Sequence, residues 1–206
     1  MTYNVTILTL RPGTQGPALK EIKAHVTGDK PALSGELLAC WYSDIGALNR
    51  VLVLHRAASA EQALADRERL VLAEDPFGLK DAITQLQADT FHLLPFLTGI
   101  DTGTKGPMFE VRTYETRAGG MGPTVELWRK ALPERMKLSP LLAGLYSVSG
   151  VAARFMHIWP YENLEARSRL RAKAVADGIW PPQGGPAHLQ VMQSDIYLPA
   201  EFSPLR

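Results

Sequence analysis

Leu142 to Arg167 reads LAGLYSVSGVAARFMHIWPYENLEAR, and Leu38 to Ala63 reads LACWYSDIGALNRVLVLHRAASAEQA. Laid over each other without a gap, they match at Leu38/Leu142, Ala39/Ala143, Tyr42/Tyr146, Ser43/Ser147, Gly46/Gly150, Arg50/Arg154 and Glu61/Glu165, with Leu54 answered by Ile158. An internal repeat constrains a fold more than any single motif. The chain is therefore read as two copies of one plan.

The repeat continues outward on both sides. Arg11, Gly13, Gly16 and Pro17 answer Arg117, Gly119, Gly122 and Pro123, and the triplet Leu19, Ile22, Val26 answers Val125, Trp128, Leu132. Each triplet keeps the i, i+3, i+7 spacing of one helical stripe, so Trp128 and Leu132 are expected under a sheet. At the far end Gln87-x-Asp89-x-Phe91 answers Gln193-x-Asp195-x-Tyr197.

Taken in order, Asn4 to Leu10 alternates as a strand and Arg11-Pro12-Gly13 turns it. A helix opens at Gly16-Pro17 and stops at Gly28. Leu37 to Ile45 and Asn49 to His55 form a hairpin around Gly46. Ser59 with Gln62 caps a second helix, which ends near Asp75-Pro76, and Gln85 to Leu94 is the fourth strand. This strand, helix, strand, strand, helix, strand order is that of a ferredoxin-like βαββαβ domain. The second half repeats it, with strand Met108 to Thr116, a helix from Pro123 to about Met136, strands at Leu142 to Val148 and Ala152 to Trp159, a helix capped by Asn163, and strand His188 to Leu198. Leu164, Leu170 and Ala174 are expected on the buried side of that last helix. The expected organisation is repeat 1 over 1–97, a Gly-rich linker over 98–107 and repeat 2 over 108–206.

Composition narrows the function classes. The chain has 206 residues, a formal charge of +1 and 46% hydrophobic residues. Its basic residues are spread out, so it carries no electrostatic footprint for nucleic acid. No stretch of about 18 apolar residues reads as a membrane span, and the lone Cys40 fits a reducing, cytoplasmic setting. The five histidines never fall at i, i+2 or i, i+4, so no metal is expected, and no nucleotide or cofactor motif is present.

A four-stranded sheet with both helices on one face leaves its other face to be buried. The duplicate half is the nearest cover, with two sheets facing or curling into an eight-stranded α+β pseudo-barrel. Here the sequence resembles a known family. FEVRTY, the Gly-rich turn after it and HIWPYENLEAR resemble the NIPSNAP domain of the dimeric α/β-barrel superfamily, and Asp44-Ile45-Gly46-Ala47-Leu48-Asn49 resembles it more weakly in the first half. The resemblance implies a binding or interaction protein taking a small organic ligand or a protein partner. The alternative it implies is a cofactor-free monooxygenase or isomerase acting on a small organic acid in the barrel pocket of the second repeat. The family's fold also leaves self-association as a homo-oligomer open.

Candidate chemistry gathers in repeat 2. Strand alternation puts Phe109, Val111 and Thr113 on one face, suited to packing under helices, and Glu110, Arg112 and Tyr114 on the other, assigned to the space between the sheets. Phe155, His157 and Trp159 share a face of the neighbouring strand, and either face of that strand suits the interior. In the functional reading His157 is a general base oriented by Glu110, Arg112 holds an anionic oxygen, Tyr114 or Tyr146 donates a hydrogen bond, and Trp159 lines the ligand site. In the structural reading Glu110 pairs with Arg112 or Arg154 and His157 is a satisfied core residue. The first repeat has Asn4, Thr6, Leu8 and Val53 at the matching positions, so any site is lopsided. Arg167, Arg169, Arg171 and Lys173 are expected to form a solvated helix face.

Overall fold

The computed structural model describes residues 1–29, 31–150 and 153–206. The first half runs β1 (Thr2–Leu10), α1 (Gln15–Thr27), β2 (Glu36–Ile45), β3 (Arg50–Ala57), α2 (Ala60–Leu72) and β4 (Ile83–Leu93). The second runs β5 (Met108–Thr116), α3 (Met121–Met136), β6 (Ala143–Ser147), β7 (Arg154–Tyr161), α4 (Leu164–Ala176) and β8 (Leu189–Pro199). The expected order is met in both halves. The expected start of β7 at Ala152 lies outside the described residues.

Local signals set the helix ends. Ser59 Oγ accepts the Gln62 N–H at 3.1 Å, and Gln62 Oε1 accepts the Ala58 N–H at 2.8 Å, so both ends of the α2 cap are satisfied. Asn163 Oδ1 accepts the Ala166 N–H at 2.7 Å and starts α4. The buried stripe of α4 is Ala166 and Ala174, while Leu164 is 45% exposed. Leu164 is thus a correction: as the first residue of the helix it points out at the rim, and small alanines let α4 approach the sheet closely.

The eight strands form one closed antiparallel barrel in the order β1-β3-β2-β8-β5-β7-β6-β4, with β4 returning to β1. Two seams join the repeats: β2 pairs β8 from Trp41↔Pro199 to Ile45↔Ile196, and β4 pairs β6 from Phe91↔Ser147 to Leu93↔Leu145. Curling wins over facing because closure pairs the strand edges of each half. The barrel is complete within one chain. Its interior core is apolar, Val5, Leu52, Val111, Met156 and Ile158 forming one cluster with Trp41, which stacks on Phe109 at 4.1 Å and 11°.

One end of the barrel is stoppered by the connection between the halves and by residues 200–206. Leu205 is fully buried in the interior core with Ile100, and Leu205 O accepts the Trp41 Nε1–H at 2.9 Å. The four helices lie outside. α1 packs Ala18, Ile22 and Val26 on the first half, and α3 packs Trp128 and Leu132 on the second.

This arrangement reverses one expectation. Phe109 and Val111 belong to the barrel interior, and the Glu110, Arg112, Tyr114 face of β5 looks out beneath α3 and α4. On β7 the interior set is Met156 and Ile158, so His157 and Trp159 also lie beneath the helices. The interior core takes Phe109 and Val111 from β5 and Met156 and Ile158 from β7, which leaves the polar set of both strands to the face beneath the helices.

Candidate functional site

A cavity of about 190 Å³ opens between the outer face of β5 and β7, the helices α3 and α4, and the loop that carries Trp180-Pro181-Pro182. Trp128 and Trp180 wall it, meeting edge-on at 4.6 Å and 89°, and Trp128 lies 4.6 Å from the His157 ring. Tyr114 closes another side, edge-on to His157 at 4.9 Å. Against these apolar walls stand Arg112, Tyr114, Arg135, His157 and Arg171, together with Thr124, whose hydroxyl is spent on Gly120 O at 2.8 Å.

His157 is fixed by its neighbour on the same strand. Trp159 Nε1–H donates to His157 Nδ1 at 2.7 Å. An indole nitrogen can only donate, so Nδ1 carries a lone pair and the neutral ring has its proton on Nε2. Burial, and then the charges of Arg112, Arg171 and Arg135, hold the His157 pKa well below its usual value, so the ring is neutral. Its buried Nε2 has no hydrogen-bond partner among the described residues. The result is an unpartnered N–H donor on a ring that lines the cavity, with the other nitrogen already engaged.

Glu110 does not orient His157. Its carboxylate, fully buried, takes Arg112 Nη1 at 2.7 Å, Arg167 Nη2 at 2.5 Å and Ser194 Oγ at 2.8 Å, with Arg171 Nη1 at 3.7 Å. Burial alone would raise its pKa, but the hydrogen bond from Arg167 and the charges of Arg112 and Arg171 outweigh it and keep the acid ionised. Arg167 and Arg171, i and i+4 on α4, therefore turn inward onto Glu110, which corrects their assignment to a solvated face. Of the structural pairings considered, Glu110 with Arg112 is present, while Arg154 pairs with Asp89.

The remaining guanidinium is unbalanced. Arg135 on α3 is 2% exposed, stacks 4.3 Å over Trp159 and donates to Ser139 Oγ at 2.6 Å and Tyr161 Oη at 3.4 Å. Among the described residues no carboxylate lies within ion-pair distance of it. Three arginines line the cavity, and one carboxylate stands behind them.

His157, Arg112 and Tyr114 thus meet at one cavity, and Trp159 supports His157 from behind. Arg112 Nε donates to the Tyr114 hydroxyl, leaving the Tyr114 proton free to donate. Tyr146 lies apart, its ring edge-on to His92 at 5.7 Å. Arg135 and Trp180 were not expected at the site, and Arg171 was expected on a solvated face. Arg135 had a legible signal, since Trp128, Leu132 and Arg135 share one stripe of α3. Among the described residues no group of three or more His, Cys, Asp or Glu could hold a metal ion, and no helix is long and apolar enough to cross a membrane.

The sequence model of the NIPSNAP family matches residues 3–90 and again 109–204. The chain belongs to the NIPSNAP family. It is 26% identical over 214 residues to Protein NipSnap of Drosophila melanogaster, an alignment covering 98% of the chain and 76% of that protein. It is 24% identical over 168 residues to the Protein NipSnap homolog of Dictyostelium discoideum, covering 80% and 75%. The fold is shared with a solved anthrone oxidase-like protein at a TM-score of 0.61 and 16% identity, over 97% of the chain and 91% of that protein. This NIPSNAP chain is an α+β, pseudo-dimeric α/β barrel.

Proposed function

We propose that this NIPSNAP protein binds a small aromatic or otherwise planar organic acid in the cavity beneath α3 and α4. The observation that carries the reading is Arg135, a buried guanidinium on the cavity wall with no carboxylate partner among the described residues. Leaving a buried charge uncompensated costs several kcal/mol, and a ligand carboxylate supplies the missing charge. Indole walls at Trp128 and Trp180 suit a flat ring, and His157 Nε2–H and Tyr114 Oη–H are donors for its oxygen atoms. A volume of about 190 Å³ holds a one-ring compound, since an apolar cavity of about 150 Å³ takes benzene.

The test is a thermal-shift titration with benzoate and salicylate against uncharged benzyl alcohol. The acids raise the melting temperature with concentration, benzyl alcohol does not, and Arg135→Met removes the effect. Equal shifts from benzyl alcohol would show that the arginines play no part in recognition.

A second reading keeps the same cavity and makes the protein a cofactor-free monooxygenase or isomerase. The unpartnered Nε2–H favours it, because a donor in a water-poor site stabilises an oxygen that gains negative charge during reaction. In that reading His157 and Tyr114 polarise the substrate oxygen, Arg112 and Arg135 hold its carboxylate, and Glu110 sets the positions of Arg112 and Arg167. The discriminating measurement is substrate-dependent oxygen uptake or product isomerisation that disappears in His157→Ala. Binding without turnover leaves the first reading alone.

A further inference from the structure

The open end of the barrel holds another cavity of about 190 Å³, which shares no lining residue with the first. It straddles the two repeats, because its polar walls come in matched pairs: Arg50 and Arg154, Gln87 and Gln193, Asp89 and Asp195. Most of these groups are spoken for. Arg154 grips Asp89 with both terminal nitrogens, at 2.6 and 2.7 Å, and Gln87 Nε2 adds a bond to the same carboxylate at 2.7 Å. Asp195 takes Gln193 Nε2 at 2.7 Å and the Ala47 N–H at 2.9 Å. Neither aspartate is free for a cation.

The pairing fails at two positions. Arg50, the counterpart of Arg154, has no carboxylate within ion-pair distance among the described residues, and its guanidinium sits beside the Tyr197 hydroxyl. Glu115 stands where the first repeat has Thr9, and its carboxylate makes no hydrogen bond or ion pair among the described residues. A cation and an anion thus line one cavity without meeting. Behind them the wall is apolar, formed by Val5, Leu52, Val111 and Met156.

We infer that the mouth of the barrel binds a small zwitterion of the α-amino acid class, its carboxylate on Arg50, its ammonium on Glu115 and its apolar part against Val111 and Met156. A simple anion fits poorly, because Asp89, Asp195 and Glu115 outnumber Arg50 and Arg154 at the site. A simple amine would leave Arg50 unpaired. Only a ligand with both charges matches both unpaired groups, and charge-assisted hydrogen bonds of this kind are the strong ones.

The proposal is tested on the full chain by isothermal titration with leucine, 4-methylpentanoate and 3-methylbutylamine, which share a skeleton and differ in charge. Leucine binds, and each singly charged analogue binds at least tenfold more weakly. Arg50→Gln and Glu115→Gln each weaken leucine at least tenfold. Glu115→Gln is nearly isosteric at a partly exposed position, so it reports on binding even if Arg50→Gln lowers the melting temperature. No heat with leucine at millimolar concentration, equal affinity for an analogue, or unchanged leucine affinity in Glu115→Gln overturns the assignment.

Discussion

Asp195, on the last strand of the second repeat, accepts the backbone N–H of Ala47, in the hairpin turn of the first, at 2.9 Å. The reciprocal contact joins Asp89, on the last strand of the first repeat, to Arg154 beside the hairpin turn of the second. Each repeat therefore finishes the other's β-hairpin, and Gly46, Gly150 and the Gln-x-Asp pairs recur because both halves need them.

Gly46 has φ +103°, and a Cβ there would lie 2.0 Å from Asp195 Oδ1. Gly46→Ala accordingly combines backbone strain with a forced shift of Asp195. A loss of about 2–4 kcal/mol is expected by denaturant unfolding. Asp195→Ala leaves the Ala47 N–H without its acceptor and is expected to cost about 1–3 kcal/mol.

Glu110 governs the acid limb of stability. Its folded pKa is depressed, as is that of Asp89, where hydrogen bonds from Arg154 and Gln87 outweigh burial. Below the unfolded carboxylate value of about 4 the unfolded chain binds more protons than the folded one. Their contribution is thus full above that pH and is lost as pH falls through the lower folded values. Glu110→Gln should cost about 3 kcal/mol at pH 7, the low end for a buried pair because its arginines are partly exposed. Urea titrations from pH 7 to pH 3 should show a shallower decline in this variant than in the parent.

His157 is expected to stay neutral, with its proton on Nε2, in nitrogen-detected NMR spectra from pH 8 to pH 5. Because its folded pKa lies below the unfolded value of about 6.5, holding it neutral costs stability as pH drops beneath that value. Trp159→Phe removes the donor to Nδ1, and the tautomer should become mixed while the ring stays buried. An unchanged Nε2–H tautomer in Trp159→Phe would mean that another group sets it.

Trp128→Ala should lower stability by about 3–5 kcal/mol, since the ring is 5% exposed and touches Phe155, His157, Trp159 and Trp180. The same substitution removes one wall of the cavity beneath α3 and α4, so the thermal shift produced by benzoate should shrink with it.

The repeat made the element order legible, since turn glycines, caps and helix stripes are local signals. Which face of a strand looks inward was not. β5 is buried on both faces over its first residues, so alternation separates Val111 from Glu110 and Arg112 without saying which set meets the helices. That choice is made by barrel closure, a property of all eight strands at once. The cluster of His157, Arg112 and Tyr114 was legible for a related reason: residues sharing one face stay together whichever way the face points. Arg135 was passed over because an arginine in a helix is ordinarily solvated, although its spacing from Trp128 and Leu132 marks the buried stripe.

Leu205 and Ile100 occupy the barrel axis at the end opposite Arg50 and Glu115. The barrel is consequently a blind well rather than a channel. A molecule bound at the mouth of that well would have to leave by the way it came, so arrival and departure would compete for a single doorway.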